Sequence, residues 1–239
     1  MSAFLLTAWL LGFSQVRPCT PQFAPLTSGT HVGDSKIPIW PKALQLDEGP
    51  AGAAAWSGTG WVGWKHWGTT LHPVRITVRD HPKLYEGDIE EVAVEHTPDV
   101  DYAVRCIPAV RPGTLTIARR RYDNNEVTSE DLAPNRPLGI SLGTRKYEMR
   151  VESKTDTLEN AKVVLSDGTR MQVLFSVNGH PDEPHLEVDW AGDVDRDGKL
   201  DLIVTLSSKY SMLPHTLLLS SQARPGQLVG VAATFVTGD

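Results

Sequence analysis

The sequence predicts an all-β protein: an antiparallel sandwich or barrel-like fold of two packed β units, not a full propeller. Three observations point there. Short runs alternate apolar and polar residues with period two, as half-buried strands do. Turn residues separate those runs at close spacing, as in sandwiches and barrels. No stretch after residue 60 carries a helical stripe longer than two turns, and the chain shows no internal repeat.

The elements follow in order. Residues 15–55 are rich in Pro, Gly, Ala, Ser and Thr without a sustained period, and predict a loosely structured segment. From Trp56 the alternation begins, in residues 60–64, 73–78, 91–95, 102–107 and 115–118. A second β unit is expected from residue 138, with the boundary near 137. In it, residues 161–165 and 170–175 flank Asp167-Gly168, a hairpin signal because both residues accept positive φ. Leu186, Val188 and Trp190 then share one strand face, with Glu187 and Asp189 on the other. Residues 202–206, 216–219 and 228–235 supply the last strands.

At 239 residues, 40% hydrophobic and 22% charged, the chain can bury a sizeable core. Its net charge of −6 makes nucleic acid a poor partner, because phosphates would be repelled. The Arg119-Arg120-Arg121 run reads as a solvated strand end or turn. Residues 1–14 read as a signal peptide: an apolar run too short to span a bilayer, closed by Gly12-Phe13-Ser14, although no Lys or Arg precedes it. Cleavage before Gln15 leaves no stable membrane insertion and a periplasmic or secreted protein. In that setting Cys19 and Cys106 form one disulfide or remain two free thiols; the spacing permits both.

The densest chemistry lies in residues 193–201, Asp-Val-Asp-Arg-Asp-Gly-Lys-Leu-Asp. Asp193, Asp195 and Asp197 sit two apart, Gly198 permits a sharp reversal, and Asp201 follows at the ninth position. Calcium takes six to eight oxygen ligands, and such a loop brings several to one point. Four convergent carboxylates without a cation would repel one another. The expected ligands are the side chains of Asp193, Asp195, Asp197 and Asp201 and the backbone carbonyl of Lys199. An EF-hand would need a glutamate at position twelve, which here is Val204. The alternative is an acidic hairpin that binds no metal.

The early last acid, running straight into Leu202-Ile203-Val204, resembles the calcium loops of FG-GAP repeats in integrin-type propellers. The resemblance covers residues 185–206. Those propellers repeat the motif and this chain has it once, so the propeller is not implied. More widely, Trp190-Ala191-Gly192-Asp193, residues 216–223 and 225–229, and the Gly-Trp-rich residues 60–64 resemble a group of secreted or periplasmic bacterial proteins without an assigned activity. That resemblance implies location and calcium, not a reaction.

Other residues carry weaker signals. Trp56, Trp61, Trp64 and Trp67 crowd together. They are expected to fill a small β core, with Trp61 and Trp64 on opposite faces of one strand; the other reading is a sugar-stacking surface. Gly139-Ile140-Ser141-Leu142-Gly143 has the letters of a nucleophile elbow, but β-like sequence on both sides argues against one. His66 with His72, and His180 with His185, lack zinc-ligand spacing. The expectation is therefore an exported, non-catalytic, calcium-binding interaction domain with a protein or glycan partner. The alternative is a periplasmic hydrolase of glycan or peptide, using Asp189, Glu187 and a histidine.

Overall fold

The computed structural model describes residues 20–26, 30–31, 38–40, 56–81, 91–122, 125–126, 130–209 and 211–237. The expected signal peptide at 1–14, Cys19 and most of residues 15–55 lie outside them. Among the described residues the protein is all-β, with three antiparallel sheets, none closed into a barrel.

The first sheet takes β1 (Gln22–Pro25), β2 (Thr30–His31), β3 (Pro38–Trp40), β4 (Gly58–Trp64), β5 (Thr70–His81), β6 (Glu91–Thr97), β7 (Tyr102–Arg105) and β8 (Gly113–Thr114), in the order β1-β7-β4-β5-β6-β3-β2 with β8 on β5. Three of these strands fall within the segment expected to be loosely structured. β1 forms there because it pairs along β7 and buries Phe23, whose ring stacks on Tyr102.

β9 (Thr116–Ile117) crosses to the third sheet. β10 (Arg119–Tyr122) and β11 (Asn125–Glu126) open the second, and β12 (Glu130–Asp131) returns to the third. β13 (Leu138–Leu142), β14 (Arg145–Glu152), β15 (Lys162–Ser166) and β16 (Met171–Ser176) complete the second sheet as β11-β10-β13-β14-β15-β16. β17 (His185–Asp193), β18 (Asp201–Ser207), β19 (Leu213–Leu219) and β20 (Gly230–Thr237) build the third in chain order after β12, with β9 on the other part of β17. The pairing of β10 with β13 carries one sheet across residue 137, where two units were expected to divide.

The third sheet is the middle layer. Leu202, Val204 and Leu206 of β18 enter a core shared with the second sheet, whereas Ile203 enters a core shared with the first. The alternation of strand side chains thus feeds two cores from one strand. All of β18 is buried, so a change such as Leu202→Ala costs about 2–5 kcal/mol through lost contacts and a cavity.

The aromatic cluster is a core feature. Trp61 and Trp64 are both buried in the core between the first and third sheets. Trp56 stacks on Trp61, and Trp64 meets Trp190 edge-on. Trp67 alone of this group is exposed, at 54%.

Candidate metal centre

The acid loop is the turn of the β17–β18 hairpin, which closes with Gly192 opposite Asp201. Its entry is fixed from outside the hairpin, because Thr116 and Ile117 pair with Asp193 and Gly192. A Cβ on Gly192 would lie 2.5 Å from the Trp190 ring and 2.6 Å from the Thr116 carbonyl, so only glycine fits. Val194 and Leu200 are buried and anchor the loop at both ends. Arg196 and Gly198 take positive φ, which reverses the chain between them. Arg196 also reaches back to donate to the Pro112 carbonyl at 3.5 Å.

The loop turns its amides inward. Asp193 Oδ2 accepts from the Gly198 amide at 3.0 Å and Asp195 Oδ1 from the Asp197 amide at 3.2 Å. Asp197 Oδ1 accepts from the Lys199 amide at 2.8 Å. Asp197 Oδ2 takes the Ser220 hydroxyl at 2.7 Å and the Lys199 ammonium at 3.2 Å. Asp193, Asp195 and Asp197 each present a carboxylate oxygen, and those oxygens lie within 4.8 Å of one another.

Two oxygens are left over. Asp193 Oδ1 and Asp195 Oδ2 are buried and accept no hydrogen bond. A buried carboxylate oxygen without a donor is costly unless a cation, a water or a proton satisfies it.

Asp201 is placed differently from its three neighbours. It is fully buried, its Oδ2 accepts from the amides of Val194 at 2.8 Å and Asp195 at 3.3 Å, and its Oδ1 accepts from the Ser220 amide at 2.8 Å. It ties the loop to the 3-10 turn Ser220–Gln222 after β19. The Lys199 side chain is exposed and pairs with Asp197.

The electrostatics follow the geometry. Burial pushes the Asp193 carboxyl above its ordinary range, and the charges of Asp195 and Asp197 add to that. Burial raises Asp201 well above its ordinary value, with Asp195 adding to it. Asp197 moves the other way: burial works against its ionisation, but the bonds from Ser220 and Lys199 hold it low.

The remaining candidates lie elsewhere. Ser141 sits inside β13, paired with Arg119 and Lys146, and a short turn leads from β13 directly into β14. No helix follows to form an elbow. His72 is exposed. His180 lies 3.5 Å from Glu159 at the surface. Cys106 is disulfide-bonded, and its sequence partner by count, Cys19, is outside the described residues.

Arg120 corrects the expectation of a solvated charge run. Arg119 and Arg121 are exposed, but strand alternation turns Arg120 inward to 3% exposure. Its Nη1 donates to the Val188 carbonyl at 2.6 Å and its Nη2 lies 3.0 Å from His66 Nε2. The alternation with buried Ala118 was the available signal.

His215, which no motif singled out, joins Asp189. Its Nδ1 is 3.8 Å from Asp189 Oδ2, and Thr205 Oγ1 lies between them at 2.8 Å and 2.7 Å. The chain matches no protein-family model, no curated protein and no solved structure.

Proposed function

We propose that residues 193–201 bind calcium and that the chain is an exported, non-catalytic binding domain whose β17–β18 corner is stabilised by that ion. The observation that carries the metal reading is the pair of buried, donorless oxygens on Asp193 and Asp195. Asp197 completes the acidic group, and the Lys199 carbonyl and the remaining lone pairs of Asp201 are the proposed further donors. Oxygen-only donors and an exposed rim favour a hard cation, and a site of many oxygens favours calcium over the smaller, strictly octahedral magnesium. The resemblance to FG-GAP loops and the apolar segment at 1–14 support an extracytoplasmic setting. At a hundredfold excess over its dissociation constant, a ligand of the folded state adds about 2.7 kcal/mol. Thermal melts of the full chain in millimolar calcium should therefore exceed those in chelator by several degrees, with magnesium giving less. Identical melts in calcium and chelator would leave an acidic hairpin and end the metal reading.

A second reading, a hydrolase of glycan or peptide, is favoured by the Asp189–Thr205–His215 group. Thr205 does not serve it as a nucleophile, being 2% exposed and bonded to both neighbours. Hydrolysis of peptidoglycan or casein that disappears in His215→Ala would establish that reading over the first.

A further inference from the structure

The segment running from β8 into β9 joins the first sheet to the third at the mouth of the acid loop. Its near end belongs to the first sheet: Gly113 and Thr114 pair with Leu71 and Thr70 of β5, and the Leu115 amide donates to the Thr69 carbonyl at 2.8 Å. Its far end belongs to the third: Thr116 and Ile117 pair with Asp193 and Gly192, and the Ala118 amide donates to the Ala191 carbonyl at 3.0 Å. Leu115, between the two pairings, is buried in the core that both sheets share. Residues 113–118 therefore form a strap, and one residue that the strap holds is the first acid of the loop.

Two further contacts tie the loop to the first sheet. Arg196, between Asp195 and Asp197, donates to the Pro112 carbonyl at 3.5 Å and lies against Gly113. On the strand that enters the loop, the Trp190 ring packs on Gly192 and meets Trp64 of β4 edge-on, with ring centroids 5.5 Å apart.

Asp193 is where these contacts and the metal chemistry coincide. Its backbone pairs with Thr116, and its Oδ1 is one of the two buried oxygens that accept no hydrogen bond. Its carboxylate and those of Asp195 and Asp197 bring oxygens within 4.8 Å of one another. A cation between them draws the three acids together and holds the Asp193 backbone against the strap. Without one, their mutual repulsion pushes Asp193 outward, and that movement begins at the pairing with Thr116.

We infer that a cation in the loop fastens the first sheet to the third, because the strap at residues 113–118 and the metal site open together. The inference rests on the reading of residues 193–201 as a calcium loop and adds what the ion controls. Such coupling is reciprocal: what the ion gives to the closed strap, the closed strap gives to affinity for the ion.

The test is residue-resolved amide exchange by NMR on the full chain, in millimolar calcium and in chelator. At a hundredfold excess of calcium over its dissociation constant, an opening that must release the ion becomes about a hundredfold rarer. In chelator the Leu115 and Ala118 amides should exchange faster than the slowest amides of β18, which marks an opening short of global unfolding. In calcium they should slow at least about tenfold. The Gly179 amide, which donates to Asn160 Oδ1 away from the strap, should not change. The Val194 and Ser220 amides, both bonded to Asp201, read the loop itself. Leu115→Ala, at a residue that supplies no proposed ligand, should weaken calcium at least about fivefold in calorimetric titration. Should that variant fail to fold, exchange in the unaltered chain still decides the matter. Slowing at Val194 and Ser220 without slowing at Leu115 and Ala118 overturns the inference and leaves the calcium loop standing. So do strap amides that open only with β18, or a folded Leu115→Ala that binds calcium like wild type. No slowing at any of the four amides removes the calcium reading and the inference with it.

Discussion

Ser220 donates its hydroxyl to Asp197 Oδ2 at 2.7 Å, and its amide donates to Asp201 Oδ1 at 2.8 Å. One residue beyond β19 thus holds two acids of the loop. Ser220→Ala removes the first bond and keeps the second. A hydrogen bond to a charged group contributes about 1.5–3 kcal/mol, and the partial exposure of Asp197 puts this one near the lower end. The variant should melt a few degrees lower in chelator and still gain on addition of calcium. An unchanged melting temperature in chelator would show that the turn does not support the loop.

The pH response of the metal-free protein follows from the same acids. Asp193 and Asp201 are raised in the fold, both chiefly by burial, whereas in the unfolded chain an aspartate titrates near about 3.9. A group raised on folding contributes stability below its unfolded value and loses it as pH rises through its folded value. Metal-free protein should therefore lose stability from these two groups as pH climbs above about 4. Asp197, held low, contributes fully across that range and loses its share only toward acid. A bound cation favours the ionised forms and cancels the loss. The difference between melts in calcium and in metal-free buffer should widen from pH 4.5 to 8; a constant or shrinking difference would refute this account.

Asp167 gives the opposite sign in a place without metal. The amide of Arg170, then its guanidinium and the Thr169 amide, hold its carboxyl down to about 2. That stability is present above about 3.9 and is lost as pH falls through about 2. Asp167→Ala should cost about 1 kcal/mol at pH 6, typical of a lost turn hydrogen bond, and progressively less toward pH 2. Urea unfolding of both proteins at several pH values measures it.

Asp195→Ala separates metal binding from loop folding. Asp195 Oδ1 takes one long bond from the Asp197 amide, and Oδ2 takes none. Without metal the change should cost little, because it also removes a charge facing Asp193 and Asp201. With metal it should abolish the gain in melting temperature. A variant that still gains as much as wild type would remove Asp195 from the ligand set.

Features carried by neighbouring residues were legible in the sequence. The acid loop announces itself because its carboxylates and Gly198 fall within residues 193–201, and the hairpin at Asp167-Gly168 because its turn residues are likewise neighbours. Features made by distant pairing were not. Alternation marks a strand but not its partner, so the pairings β10 with β13 and β9 with β17, which assign those strands to their sheets, have no local signature. Asp189 meets His215 only because β18 lies between their strands and supplies Thr205. The role of Asp201 as a bridge to Ser220 was hidden likewise, since β18 and β19 must pair before the two can meet.

Arg120 tests how the layers are joined. Arginine can only donate, so His66 Nε2 must accept its bond at 3.0 Å. His66 Nδ1 then carries the proton and donates to the Tyr102 hydroxyl at 3.0 Å, which in turn donates to the Asp189 carbonyl at 3.5 Å. Burial, with the Asp189 charge adding, pushes the Tyr102 phenol far above its ordinary range, so it remains a donor. The relay runs from the second sheet through the first to the third, and Arg120 also holds the Val188 carbonyl directly. Arg120→Met keeps much of the aliphatic stem but leaves the Val188 carbonyl and the His66 nitrogen without this donor. A bond from a charged donor contributes about 1.5–3 kcal/mol, and since His66 is half-buried the two together are worth about 2–4 kcal/mol. Arg119→Met and Arg121→Met, at exposed neighbours, should stay within about 0.5 kcal/mol of wild type. Denaturant unfolding of the three variants measures the contrast. Equal stability of all three would mean that the relay is geometry without energy, and that apolar packing alone joins the sheets.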